Sequence, residues 1–470
     1  GASALITFDG SLGLAENATV NIAVKDALRQ KQGGTYILAT GDFSAFEASN
    51  FRMTELSGNL WSFSLNEDKT QLSLTLGAYG IWNGEAESNV WDSSVFGSDS
   101  APSENYIVFF NGEASCTDVL IEESQTVKGL HVEGSKDYHF AAEDGVSISM
   151  ESFEKTGSGV ATFDVGMTIA SSVNLNDSTV IFNGDTNITG DVSGNAKSQV
   201  SFGGDAHVSG TVFLDGGVLT FGGTESNIII DTKLDAIRGV LNIGASAEDS
   251  VFLTVASLEA SDTNGGGNLT INLAQGSTLK ITGTDSLGNY KKTGFLLSEW
   301  NAVTTLNVDG TILSQNASLL VGDSSADINI SGTVAVRGIG NGKTGNNDGK
   351  ITLNLNDGAK LILGVSGINT GKQFDATLGA ATIGISAAEV TIAEDLSITS
   401  ATGTVFDTAL YSFEEDGSSI SQGTVGGTLT ISGALSGAGK LVKQGAGTLK
   451  LTSAAFDFDG EIALNEGALT

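Results

Sequence analysis

Val180-Ile-Phe-Asn-Gly184, Val200-Ser-Phe-Gly-Gly204 and Leu219-Thr-Phe-Gly-Gly223 are three versions of one phrase: an aliphatic residue, any residue, Phe, then a turn pair. With Phe163 added, the aromatic residue recurs at spacings of 19, 20 and 19 residues. A second motif travels with it. Gly184-Asp-Thr-Asn-Ile-Thr-Gly190 returns as Gly204-Asp-Ala-His-Val-Ser-Gly210, and a looser copy runs from Gly322-Asp323 to Gly332. Continued at the same step, the Phe phase reaches Ile243, Ile281 and Val321. Short alternating strands with a period near twenty imply one coil of a solenoid per period. Such a coil cannot bury its own apolar face, so coils stack and their strands pair in parallel. The expected fold is all-β: a right-handed parallel β-helix with coils of about 20 residues, the hand following from the general preference of parallel crossovers.

Working outward, most of the chain reads the same way. Asn268–Leu273, Lys350–Leu355 and Thr428–Ile431 alternate apolar and polar residues and are bounded by Gly, Asn or Asp. Only Lys25–Gln32 and Ala387–Leu396 suggest short helices. The chain has 63 glycines and a single proline in 470 residues. Corners need left-handed backbone, which Gly and Asn accept cheaply, and a proline would remove a ladder hydrogen bond. Residues 81–105 hold Trp82, Trp91, clustered Ser and Asp, and Pro102, the composition of a loop or linker. Residues 1–80 are strand-rich but off the period, a separate β segment or a differently wound part of the rod, and 106–470 form the expected β-helix.

Composition excludes several functions. Against 22 Lys+Arg stand 55 Asp+Glu, a net charge of −33, which opposes binding to nucleic acid or anionic lipid. Apolar runs such as Tyr106–Phe110 are far too short to span a bilayer as a helix. Cys116 is the only cysteine, so neither an intrachain disulfide nor a Cys/His zinc set is available.

The most specific stretch lies at the C-terminal end: Gly427-Thr-Leu-Thr-Ile-Ser-Gly433, Leu435-Ser-Gly-Ala-Gly-Lys-Leu441, Lys443-Gln-Gly-Ala-Gly-Thr-Leu-Lys-Leu451, Phe458-Asp-Gly-Glu-Ile462 and Gly467-Ala-Leu469. Residues 427–469 resemble the passenger-associated transport repeat, or autotransporter-associated β-strand repeat, of type V secreted proteins. Where that repeat commonly carries Asn-Thr-Tyr-Thr-Gly, this chain has Ala455-Phe-Asp-Phe-Asp-Gly460. Trp82-Asn-Gly, Trp91 and Val108-Phe-Phe-Asn-Gly112 also look like the opening of such a block. The resemblance implies a β-helical passenger cut from a longer precursor and exposed outside a Gram-negative-type bacterium.

No catalytic set emerges. His131, His139 and His207 are the only histidines, and His207 falls where Asn187 falls one period earlier, as a turn substituent. Gly322-Asp-Ser324 looks like a serine-hydrolase triplet but reads as another Gly-Asp turn, and no Gly-x-Ser-x-Gly elbow exists. Asp185 and Asp205 stack by construction, as a solvated acidic ladder. The four arginines, Arg29, Arg52, Arg238 and Arg337, are dispersed, which disfavours a cleft for uronates. The loop Gly340–Gly349 offers Asn and Asp oxygens to calcium but lacks the calcium-roll nonapeptide. Asp262–Asn268 is a Gly-rich corner with no helix after it to bind phosphate. The expectation is a non-enzymatic acidic stalk or adhesin, with no catalytic, cofactor or metal residues. Its partners would be a surface glycan or protein, or further copies end to end. A β-helical glycosidase or lyase and a self-assembling filament or surface-layer subunit are the alternatives.

Overall fold

The computed structural model describes residues 6–11, 19–21, 34–52, 61–76, 78–84, 89–92, 96, 104–246, 248–261, 267–285, 294–299, 303–342, 349–453 and 455–470. The described residues are mostly strand, joined by turns and corners, and no helix among them is long and apolar enough to cross a membrane. The chain divides into two compact units, Gly1–Glu154 and Lys155–Thr470.

In the first unit, Ile6–Ser11, Gly34–Asp42, Gln71–Leu76 and Trp61–Leu65 form a four-stranded sheet in that order. The first pair is parallel and the others antiparallel. Its core is aromatic: Phe43, Phe46, Phe51 and Phe63 pack with Leu72 and Leu74. From residue 78 the pairing becomes parallel. Ala78–Ile81 lies on Tyr106–Phe110, and Gly129–Val132 lies on Ile107–Phe110. Trp82 and Trp91, which composition assigns to a linker, are buried against Phe96 and Phe110. The Trp82 indole N–H donates to the Cys116 carbonyl at 2.9 Å, so the polar atom of this buried ring is satisfied.

The second unit is a parallel β-solenoid with three strands per coil. One coil is Thr179–Phe182, Thr186–Ile188 and Val192–Gly194, defining the first, second and third faces. The next coil repeats them one above the other, with Val180 opposite Val200, Ile188 opposite Val208 and Val192 opposite Val212. Inward residues alternate with outward ones, as the strand period requires. Phe163, Phe182, Phe202 and Phe221 form the expected column, each at most 1% exposed, with ring centroids 5.7, 5.5 and 5.7 Å apart and planes within 24° of parallel. Burying each ring contributes on the order of 2–3 kcal/mol.

Beyond Phe221 the column runs through Ile243, Leu273, Val308, Ile330, Leu355 and Leu378. Two expectations fail here. Ile281 pairs with Val255 on the second face and Val321 with Leu297 on the third, so neither continues the Phe column. The corners lengthen while the strand registers hold, and a fixed step therefore drifts off the column. Coils average about 22 residues. For the same reason Gly322-Asp323 is not a third copy of the Gly184-Asp185 turn. It follows a third-face strand, whereas Gly184 and Gly204 follow first-face strands. The helix expected at Ala387–Leu396 is instead the third-face strand Glu389–Ile392 and the start of Leu396–Ile398, paired to Thr428–Ile431 and Leu435–Gly437. Ladder pairing overrides the local preference. The helix expected at Lys25–Gln32 lies outside the described residues.

The C-terminal signature has a packing cause. A Cβ on Gly447 would strike the Gly427 carbonyl oxygen, and one on Gly467 would strike that of Gly447, so these glycines allow three consecutive corners to close on one another. Lys443 is fully buried, and its ammonium caps the carbonyls of Gln444, Gly445 and Glu466 at 2.9, 2.7 and 2.9 Å. Lys155-Thr-Gly-Ser-Gly159 repeats the device: Lys155 is 1% exposed and caps Thr156 and Gly157 at 3.0 and 3.1 Å. Gly157 and Gly445 share nearly the same left-handed φ, +82° and +80°. Lys-x-Gly-x-Gly is thus a corner clamp used twice. Sequence reading missed the first copy because Phe153 and Phe163 replace the flanking leucines of the second.

Candidate functional site

On the second face the solenoid carries an excursion. Thr404–Phe413 begins as a coil strand, with Thr404–Asp407 paired to Leu441–Gln444, then leaves the wall as a hairpin with Ile420–Gly426. The exit is held by Asp407, a carboxylate only 2% exposed. It accepts the Ala409 N–H at 2.9 Å, the Tyr411 hydroxyl at 3.0 Å and the Gln422 amide. Burial, then the Asp407 charge, push the Tyr411 phenol well above its ordinary pKa. Tyr411 therefore stays a neutral donor locked to Asp407 and offers its ring to the surroundings.

The hairpin folds back over the outer side of the second face. Tyr411, Phe413 and Ile420 pack on Leu313, Ala335 and Ile362, outward-pointing residues from three successive coils. At the tip the Lys280 ammonium donates to the Asp416 carbonyl. The sequence did carry a signal for this cover. Thr311-Ile-Leu-Ser314, Thr333-Val-Ala-Val336 and Lys360-Leu-Ile-Leu363 break the polar-out alternation in the same place, and consecutive apolar residues on a strand mean that both sides are covered.

A groove of about 650 Å³ runs beside the hairpin. Tyr411, Ser412 and Phe413 form one wall; Asp285, Gln315 and Asn316 come from corner segments opposite; Arg337, Val365 and Ser386 line the rest with Thr284, Gly364 and Ala387. Asp285 accepts three hydrogen bonds. Its two oxygens accept the Ser318 N–H and hydroxyl, both at 2.8 Å, and Arg337 Nη1 at 3.1 Å. Arg337 itself is 40% exposed. Along the hairpin a smaller recess of about 290 Å³ is lined by the column Thr278, Thr311, Thr333 and Lys360 together with Ser418 and Ser419.

Of the described residues weighed from sequence, only Arg337 lines this groove; Arg29 lies outside the described residues. His207 lies opposite Asn187, as the repeat requires, and its Nε2 is 3.0 Å from Asp231. His139 is 3.5 Å from Asp118. His131 sits within the strand Gln125–Val132, 1% exposed, its ring tilted 54° against Phe109 at 4.8 Å and with Nδ1 3.3 Å from Glu154 and 3.9 Å from Glu133. Burial holds the His131 pKa down against the raising effect of Glu154, while burial and Glu154 together raise that of Glu133. Ser324 is buried at a corner, its N–H on the Ser298 carbonyl at 3.0 Å. Asp185 and Asp205 do stack at one corner, and Asp205 accepts the Asn227 N–H at 2.8 Å. Arg238 pairs with Asp215 at 2.6 Å. Of the calcium loop and the Gly-rich corner, 343–348 and 262–266 lie outside the described residues. Among the described residues no group of three or more His, Cys, Asp or Glu is placed to hold a metal ion.

No family model, curated protein or solved structure matches the chain.

Proposed function

We propose that this chain is the passenger region of a type V secreted protein, exposed outside a Gram-negative-type bacterium, where it acts as a non-enzymatic attachment stalk. The observation that carries the reading is the hairpin-walled groove: a solenoid whose second face departs from plain repetition to build a recess of ligand size. The C-terminal signature supports the export route. Its Lys-x-Gly-x-Gly and stacked glycines close consecutive corners of the solenoid. Among the described residues the groove lining holds one carboxylate, engaged by Ser318 and Arg337, which supports binding over hydrolysis, since glycoside cleavage needs two carboxylates at a defined separation.

The test is attachment. Beads coated with the purified chain should adhere to bacterial or host cell surfaces. Beads coated with a variant in which residues 409–426 are replaced by a short Gly-containing turn should not. In parallel, a panel of glycan and ester substrates should show no turnover. Hydrolysis that disappears on substituting one carboxylate would establish the enzyme reading instead.

A further inference from the structure

We infer that the groove beside the hairpin is a binding site for a short, uncharged glycan segment; the inference rests on the attachment reading above and names its ligand class. Three properties of the lining select this chemistry. The first is charge. In a molecule of net charge −33, the groove holds one carboxylate and one guanidinium, already paired at 3.1 Å. A polyanion or a uronate finds no surplus of positive charge there, and a cation finds only one carboxylate, whose charge is already paired with Arg337 and which accepts three hydrogen bonds. The second is hydrogen-bonding geometry. The amides of Gln315 and Asn316 are exposed at the rim, and each carries donors and an acceptor. Arg337 directs one of its five N–H donors to Asp285 and is 40% exposed. Adjacent hydroxyls on a sugar ring match such paired planar groups. The third is the aromatic wall. Tyr411 has its hydroxyl committed to Asp407, so it and the partly exposed Phe413 present ring surface to the apolar C–H face of a sugar.

The volume falls within the ~300–1,000 Å³ of small-ligand sites. The groove is also pre-organised. The hairpin wall is pinned at its exit by Asp407, along its length by Leu313, Ala335 and Ile362, and at its tip by Lys280. A site fixed before the ligand arrives loses little affinity to ordering.

The decisive measurement is calorimetric titration of the full chain with neutral oligomers of glucose, galactose, mannose and N-acetylglucosamine, with oligouronates and sialyllactose as charged comparators. At least one neutral oligomer should bind, and the comparators should not. The double substitution Gln315→Ala, Asn316→Ala should weaken binding by about tenfold or more, as expected for lost hydrogen bonds. Val365→Glu, at a side chain 63% exposed, should block the groove without moving the unfolding midpoint. The inference is overturned if no neutral oligomer binds at millimolar concentration, if both variants keep full affinity, or if the charged comparators bind as well. Bead attachment run alongside separates the two readings. Attachment without neutral-glycan binding ends this inference and spares the attachment role, whereas glycan binding without attachment does the reverse.

Discussion

Phe202 lies between two parallel neighbours, Phe182 and Phe221, and has no room to be replaced from either side. Phe202→Ala should cost about 3–5 kcal/mol, and Phe202→Leu less, because the coil above and below cannot collapse into the void. Hydrogen exchange should show the loss concentrated in the adjoining coils. At Lys443 the cost is polar: Lys443→Met keeps the stem but leaves three capped carbonyls, of Gln444, Gly445 and Glu466, without their donor, an expected loss of about 1–3 kcal/mol in chemical unfolding. The His131 cluster gives a pH signature. The folded pKa of His131 is depressed below 6.5, so its contribution to stability is full above that value and is lost as pH falls through the folded pKa. Glu133 has a folded pKa raised above 4.5, so its contribution is full below 4.5 and lost as pH rises through the folded value. The two oppose one another. Glu133→Gln should therefore make stability fall more steeply on acidification from pH 6.5 to 4.5, followed by intrinsic tryptophan fluorescence. An unchanged slope would exclude the coupling.

At the scale of elements, two devices do most of the organising. One is the polar ladder. Asn272, Asn307, Asn329 and Asn354 each donate a side-chain amide to the asparagine of the coil before, at 3.0, 2.9, 3.0 and 2.9 Å, starting from Asn242. The sequence separations within this ladder are 30, 35, 22 and 25, so identical contacts survive corners of very different length. The other is the hairpin. Replacing Tyr411, Phe413 and Ile420 together by Ser should leave the coils intact but uncover Leu313, Ala335 and Ile362. Dye binding to exposed apolar surface should then rise with little change in far-ultraviolet circular dichroism. A collapse of the whole solenoid signal would mean that the hairpin is integral to coil stability and not a cover added to it.

At the scale of the whole molecule, charge dominates. A net −33 on 470 residues makes self-repulsion a standing cost that salt screens. Raising NaCl from about 10 mM to 500 mM, where the Debye length falls from ~30 Å to a few Å, should raise the calorimetric unfolding temperature. A flat response would mean that ion pairs such as Lys350–Asp375 and Lys440–Glu461 already offset the excess locally.

Coil stacking was legible because it is written locally. Alternation sets which side chains turn inward, and a repeated Phe at nearly constant spacing can be satisfied only by piling equivalent positions into one column. The same reasoning placed His207 beside Asn187. It failed at Ile281, Val321 and Gly322, where corner length changes and counting residues no longer tracks the register, and at Glu389–Ile392, where the ladder prevailed over helix preference. The groove was never legible as a site. Asp285, Gln315, Arg337, Val365, Ser386 and Ser412 are separated by tens of residues, each coil contributes only one or two of them, and none forms a motif with its own neighbours. Stacking brings them onto one face, and the departure of the hairpin at Asp407 raises the wall that makes the face concave. Local pattern determined the repeat; only tertiary packing, which joins distant corners through a single excursion, decided where a ligand can sit.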